Sequence, residues 1–138
     1  MTRLTSIEKG GYYAFPDEHL PALAALFTPA QQGGKLLDPC AGEGRALKHL
    51  AEAWNLKPYA NELDTQRAAA CQRLFGPTQA VQGDMYQLRG SIGAFVGVWC
   101  NPPYTWDATG SDKRRELSMV KHAWKWLQPD GWMLWAVY

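Results

Sequence analysis

The segment Trp99-Cys100-Asn101-Pro102-Pro103-Tyr104 carries the most specific chemistry in the sequence. Pro102 fixes its own φ and drives Asn101 toward the extended region, so the Asn101 side chain and the Asn101 and Pro102 carbonyls form a rigid set of acceptors. Rigid acceptors suit an amine. An exocyclic or amide nitrogen is a poor nucleophile because its lone pair is delocalised. Acceptors that hold both of its N–H groups favour a pyramidal nitrogen and stabilise the positive charge that develops as it attacks. Tyr104 can stack on the planar group being held. The plain alternative is a proline-rich loop with a helix-capping asparagine.

Three acids precede this loop. Asp38 opens the turn Asp38-Pro39-Cys40-Ala41-Gly42-Glu43-Gly44, whose two glycines permit positive φ and close approach of a ligand. A G-x-G turn alone equally describes an ordinary strand-to-helix connection. A carboxylate at its start repels phosphate and attracts an ammonium or sulfonium group, which favours a cationic ligand. Glu62 stands where doubly wound folds place an acid that accepts from ribose hydroxyls. Its alternative role, capping the next helix, falls better to Asp64. Asp84, in Gly83-Asp84-Met85, can accept from an adenine amino group while Met85 packs on the ring. Together the three acids point to an adenosine-containing, positively charged ligand.

Hydrophobic periodicity and Gly/Pro punctuation supply the elements that must position these residues. After an N-terminal segment with a helix from Asp17 through Leu20, Leu23, Leu26 and Phe27 (residues 1–34), the core (residues 35–138) alternates strands and helices. Strands are expected at Lys35–Asp38, Lys57–Asn61, Gln79–Gln82, Ala94–Cys100 and Gly131–Tyr138. Helices are expected at Arg45–Trp54, Asp64–Phe75 and from about Asp112, capped by Ser111 or Asp112, to Leu127. The last helix has Leu117, Val120, Trp124 and Leu127 at helical spacing, the pattern of a buried face, with Trp126 off that stripe. Right-handed crossovers make this one α/β domain, a doubly wound, mostly parallel Rossmann-like sheet of about five strands with helices on both faces. Ligands of such sheets bind beyond the carboxyl ends of the strands, where the acids and Asn101 lie.

Composition narrows the field further. With 138 residues, 46% of them hydrophobic and 20% charged, the chain has room for one core and is neither disordered nor fibrous. A formal charge of +1 carries no positive surplus of the kind that advertises nucleic-acid binding. Cys40, Cys71 and Cys100 are odd in number and lack metal-type spacing, and His19, His49 and His122 are dispersed, so reduced thiols and no metal are expected. The absence of a long apolar run and of an apolar leader gives the expectation of a cytoplasmic protein with no membrane partner. Ser111-Asp112-Lys113-Arg114-Arg115-Glu116 reads as a solvated helix start, with phosphate contact as its other reading.

On these motifs the chain resembles the class I S-adenosylmethionine-dependent methyltransferases, and more narrowly the amino-methyltransferases marked by an N-P-P-Y motif, over nearly its whole length. The resemblance implies S-adenosylmethionine as cofactor and a strand order of 3-2-1-4-5. It places the methionine part on Asp38, Pro39, Cys40, Ala41, Gly42 and Gly44, the ribose on Glu62 beside Leu63, and the adenine on Asp84 and Met85. Asn101, Pro102, Pro103 and Tyr104 match the catalytic motif, with Asn101 also touching the cofactor. Gly11-Tyr12-Tyr13-Ala14-Phe15-Pro16 resembles, more loosely, the segment that precedes the fold in adenine-N6 DNA methyltransferases, where it covers the methionine moiety; Tyr13 and Phe15 are the residues it implicates. Adenine in DNA, flipped out of its duplex, is therefore the expected target. The same motif serves adenines in RNA, guanine amino groups and a protein glutamine, and a cofactor-binding or assembly module inactive without a partner is a further alternative. The family fold has seven strands and this sequence reads as five. The expectation is a fragment or split enzyme whose partner chain, or a second copy, completes the sheet along the apolar fifth strand.

Overall fold

A computed structural model describes residues 12–103 and 115–137. Five strands, β1 (Lys35–Asp38), β2 (Lys57–Glu62), β3 (Ala80–Gln82), β4 (Phe95–Cys100) and β5 (Leu127–Trp135), form one parallel sheet of order β3-β2-β1-β4-β5. The helices are α1 (Leu20–Ala24), α2 (Arg45–Trp54), α3 (Thr65–Phe75) and α4 (Arg115–Ala123). This is the doubly wound sheet expected from the alternating pattern, and it puts the ends of β1, β2, β3 and β4 along one rim. No helix among the described residues is long and apolar enough to cross a membrane.

The pleat sends neighbouring residues to opposite faces, so each face has its own core. Leu36, Val96 and Trp99 pack with Leu47, Leu50 and Trp54 of α2, and Phe15, Leu23 and Phe27 close this side. Leu37, Phe95 and Val98 pack on the other with Met85, Met119, Ala123 and Trp126. α2 and α3 run where the periodicity puts them; Asp64 caps α3 by accepting from the Arg67 N–H at 2.9 Å, which holds its carboxyl below the usual range.

Three expectations change. The first helix is short: a 3-10 turn at Asp17–His19 precedes α1, and Leu26 is exposed. α4 ends at Ala123 and the chain tightens into a 3-10 turn, Trp124–Trp126. Its buried face is therefore Met119, Ala123 and Trp126, while Leu117 and Trp124 are 58% and 67% exposed. Met119, Ala123 and Trp126 are themselves at helical spacing, so the 3.6-residue period fits this face as well as the expected one, and packing against Leu37, Phe95 and Val98 selects it. The fifth strand begins at Leu127 rather than Gly131. Leu127 pairs with Phe95, the chain bulges through Pro129 and Asp130 (φ 63°), and pairing resumes at Gly97↔Trp132. The expected cap at Ser111 or Asp112 and the basic run to Arg114 lie outside the described residues.

Candidate active site

Beyond β1 the chain turns sharply enough that Gly42 takes φ 59°, a conformation that disfavours side chains. The Ala41 N–H donates to the Asn61 carbonyl at 2.9 Å. The buried Asn61 amide in turn donates to the carbonyls of Pro39 (3.1 Å) and Gly83 (3.0 Å). One side chain thus joins the loops after β1 and β3 through the end of β2.

The acids sit around this knot. Asp38 is 2% exposed and accepts from the Cys40 N–H at 3.0 Å. Burial pushes its carboxyl well above the usual range; the Cys40 hydrogen bond opposes this and Glu62 adds to it. Among the described residues no cation pairs with Asp38. Glu62, 5% exposed, accepts at Oε2 from the Gly42 N–H (2.7 Å) and at Oε1 from the Asp64 N–H (2.9 Å) and Arg67 Nη2 (3.1 Å). Asp84 is exposed, and its Oδ1 accepts from the Tyr86 N–H at 2.9 Å, starting the 3-10 turn that carries Met85.

Two adjoining cavities open here. The larger, about 680 Å³ including space open to solvent, brings together Tyr13, Pro39, Cys40, Glu62, Leu63, Asp84, Met85, Asn101, Pro102 and Pro103. The smaller, about 390 Å³, is lined by Phe15, Asp38, Cys40, Ala41 and Asn101. Tyr12, Cys40 and Asn101 border both. Gly42 and Gly44 line neither: the Tyr12 ring covers Gly42, and a Cβ at Gly44 would lie 2.8 Å from Phe75 and 3.2 Å from the Cys71 sulfur, so its bareness serves helix packing. Tyr104 lies outside the described residues. Asn61, Arg67, Tyr86 and Met119 line the larger cavity without a sequence signal. Arg67 alone was within reach, since the first turn of a helix capped by Asp64 returns toward Glu62.

The Asn101 Nδ2 donates to the Tyr13 carbonyl at 2.7 Å. A carbonyl only accepts, which fixes the amide orientation. Cys71 is inert: its thiol donates to the Gly42 carbonyl at 3.1 Å and burial pushes it up to about 12.

The sequence profile of the uncharacterised methyltransferase family DUF6094 matches residues 1–137. The chain belongs to that family. No curated protein matches it. Solved structures share the fold of this DUF6094 chain at low identity. An S-adenosylmethionine-dependent methyltransferase from Thiobacillus denitrificans, in complex with S-adenosyl-L-homocysteine, is 19% identical with a TM-score of 0.64, over 98% of this chain and 55% of that one. Phosphoethanolamine N-methyltransferase 2 from Haemonchus contortus, in complex with S-adenosyl-L-methionine, gives 18% and 0.67 over 97% and 33%. The methyltransferase subunit of a type I restriction-modification system from Streptococcus thermophilus gives 19% and 0.64 over 89% and 34%. The chain spans about half the length of several such structures.

Proposed function

We propose that this DUF6094 protein transfers a methyl group from S-adenosylmethionine to a planar amino group held by the Asn101 loop, with N6 of adenine in DNA as the target. The observation that carries the reading is the meeting, at one cleft, of a buried carboxylate that no cation among the described residues pairs with and the Asn101-Pro102-Pro103 acceptors. S-adenosylmethionine, when bound, supplies an electrophilic methyl on a sulfonium. The residues present fit it: Asp38 in the smaller cavity suits the ammonium of a methionine tail, and Glu62 suits ribose hydroxyls. Asp84, Met85 and Leu63 suit an adenine ring. Asn101 and the Pro102 carbonyl hold the amino group and stabilise its developing charge. Adenine in DNA rests on the opening Tyr12–Pro16 segment and on the likeness to a restriction-modification methyltransferase subunit.

Transfer of labelled methyl groups to DNA, RNA and protein substrates tests this. Label in DNA adenine is expected, reduced about 10²–10³-fold by Asn101→Ala while cofactor affinity changes little. Label in RNA or protein alone would move the substrate, and Asn101→Ala transferring as well as the parent would remove the role of the loop.

A further inference from the structure

Tyr12 is half-buried between Gly42 and Arg67. Its ring lies against Gly42 so closely that a Cβ on that glycine would come within 2.5 Å of it. The Arg67 guanidinium carbon stands 4.3 Å from the ring centroid, within cation–π range. Burial raises the pKa of the hydroxyl against the opposing pull of the Glu43 backbone. Arg67 is itself fixed by its pairing with the buried Glu62. The next residue, Tyr13, offers the carbonyl that accepts from Asn101 Nδ2. Two residues further, Phe15 meets Trp99 edge to face, centroids 5.4 Å apart. The segment from Tyr12 to Phe15 is thus a strap from the glycine turn to the end of β4, and Tyr12 anchors its first end.

We propose that the Tyr12–Arg67 clasp is a positioning device: by seating the strap on Gly42 it places the Tyr13 carbonyl that orients the Asn101 amide. A carboxamide rotates through two arrangements that exchange its donor and acceptor faces. An acceptor fixed on the Nδ2 side selects the one with Oδ1 turned to the opposite side. The clasp reaches Asn101 through the backbone of the strap, so Tyr12 and Arg67 act at a distance on the amide. Because Arg67 also holds Glu62, the same residues link the wall of the larger cavity to the amide. The inference rests on the proposed reading for its purpose, since an oriented Oδ1 matters only if Asn101 holds an amino group.

The test is nuclear magnetic resonance of the full chain without cofactor, so it does not depend on activity. The Asn101 side-chain NH₂ resonances are assigned by their loss in Asn101→Asp. In the parent chain, one Nδ2 proton is expected downfield and slow to exchange. Tyr12→Ala and Arg67→Ala should each return it toward solvent-like shift and speed its exchange at least about tenfold, and the double variant should add little, as for groups acting as a unit. Tyr12→Phe, which keeps the ring between Gly42 and Arg67, should preserve protection. An Asn101 signal unchanged in both folded alanine variants overturns the inference, and so does a double variant whose effects simply add. Arg67→Lys, conservative for folding, should give an intermediate loss because it keeps charge without the planar stack. If the amide responds in this way but the chain fails to bind S-adenosylmethionine, the clasp stands and the functional reading falls.

Discussion

Asp38 is costly to keep charged, and that cost is readable in solution. Its folded-state pKa lies above the unfolded value of about 3.9, so between the two values the folded state holds the extra proton. Stability from this group is then fullest below the unfolded pKa and falls as pH rises through the folded one. Asp38→Asn keeps an acceptor for the Cys40 N–H and removes the charge. It is expected to raise stability at pH 8 by about 0.5–2 kcal/mol, with a smaller gain at pH 4, as thermal melts at the two values would show. The same substitution should weaken S-adenosylmethionine binding at least about tenfold. A cation bound beside Asp38 favours its ionised form, so binding should release a proton and tighten as pH rises toward the free-state pKa. Calorimetry in buffers of different ionisation enthalpy reads that proton directly. The cysteines give a second expectation: Cys40 is partly exposed on both cavities while Cys71 and Cys100 are buried with raised pKa values. One thiol of the folded chain should react quickly with a thiol reagent, and S-adenosylhomocysteine should slow it.

Among the elements, β4 and β5 set the position of the Asn101 loop. The Ala136 N–H donates to the Cys100 carbonyl at 2.9 Å, fixing the residue that precedes it. Below, Gly97 leaves room for the Trp132 ring, which also meets Phe27 and Trp54 with centroids 4.9 and 5.2 Å away. A Cβ at Gly97 would lie 2.4 Å from Trp132. Gly97→Ala is expected to cost about 1–3 kcal/mol, measured by urea unfolding, where a cost within error would dismiss this packing. β1, α2 and α3 were legible in the sequence because Leu36-Leu37, the Leu47/Leu50/Trp54 stripe and the Asp64 cap are local signals. The turn at Trp124–Trp126 and the bulge at Pro129–Gly131 were not, because long-range pairing with Phe95 and Gly97 decides them.

For the whole molecule, alternation and handedness give a doubly wound parallel sheet, and its order β3-β2-β1-β4-β5 brings the acids and Asn101 to one rim. That much of the site was readable from chain position alone. The Asn61 knot and the Tyr12–Arg67 clasp were not, since both join residues far apart in sequence through contacts that no spacing encodes. β5 lies at an edge of the sheet, paired with β4 alone among the described residues. A net charge of +1 gives little purchase on phosphates. Fluorescence anisotropy with duplex DNA at physiological salt should therefore show a dissociation constant no tighter than the non-specific range of about 10⁻⁴–10⁻⁶ M. Nanomolar binding by this chain would show that charge distribution, not net charge, governs contact.

Calorimetric titration of the folded chain with S-adenosylmethionine and S-adenosylhomocysteine, against NAD as control, bears most directly on the cleft described above. Saturable binding of the first two, weakened by Asp38→Ala and Glu62→Ala but little by Asn101→Ala, is expected. Binding of NAD instead, or equal losses from all three substitutions, would contradict the roles given to these residues.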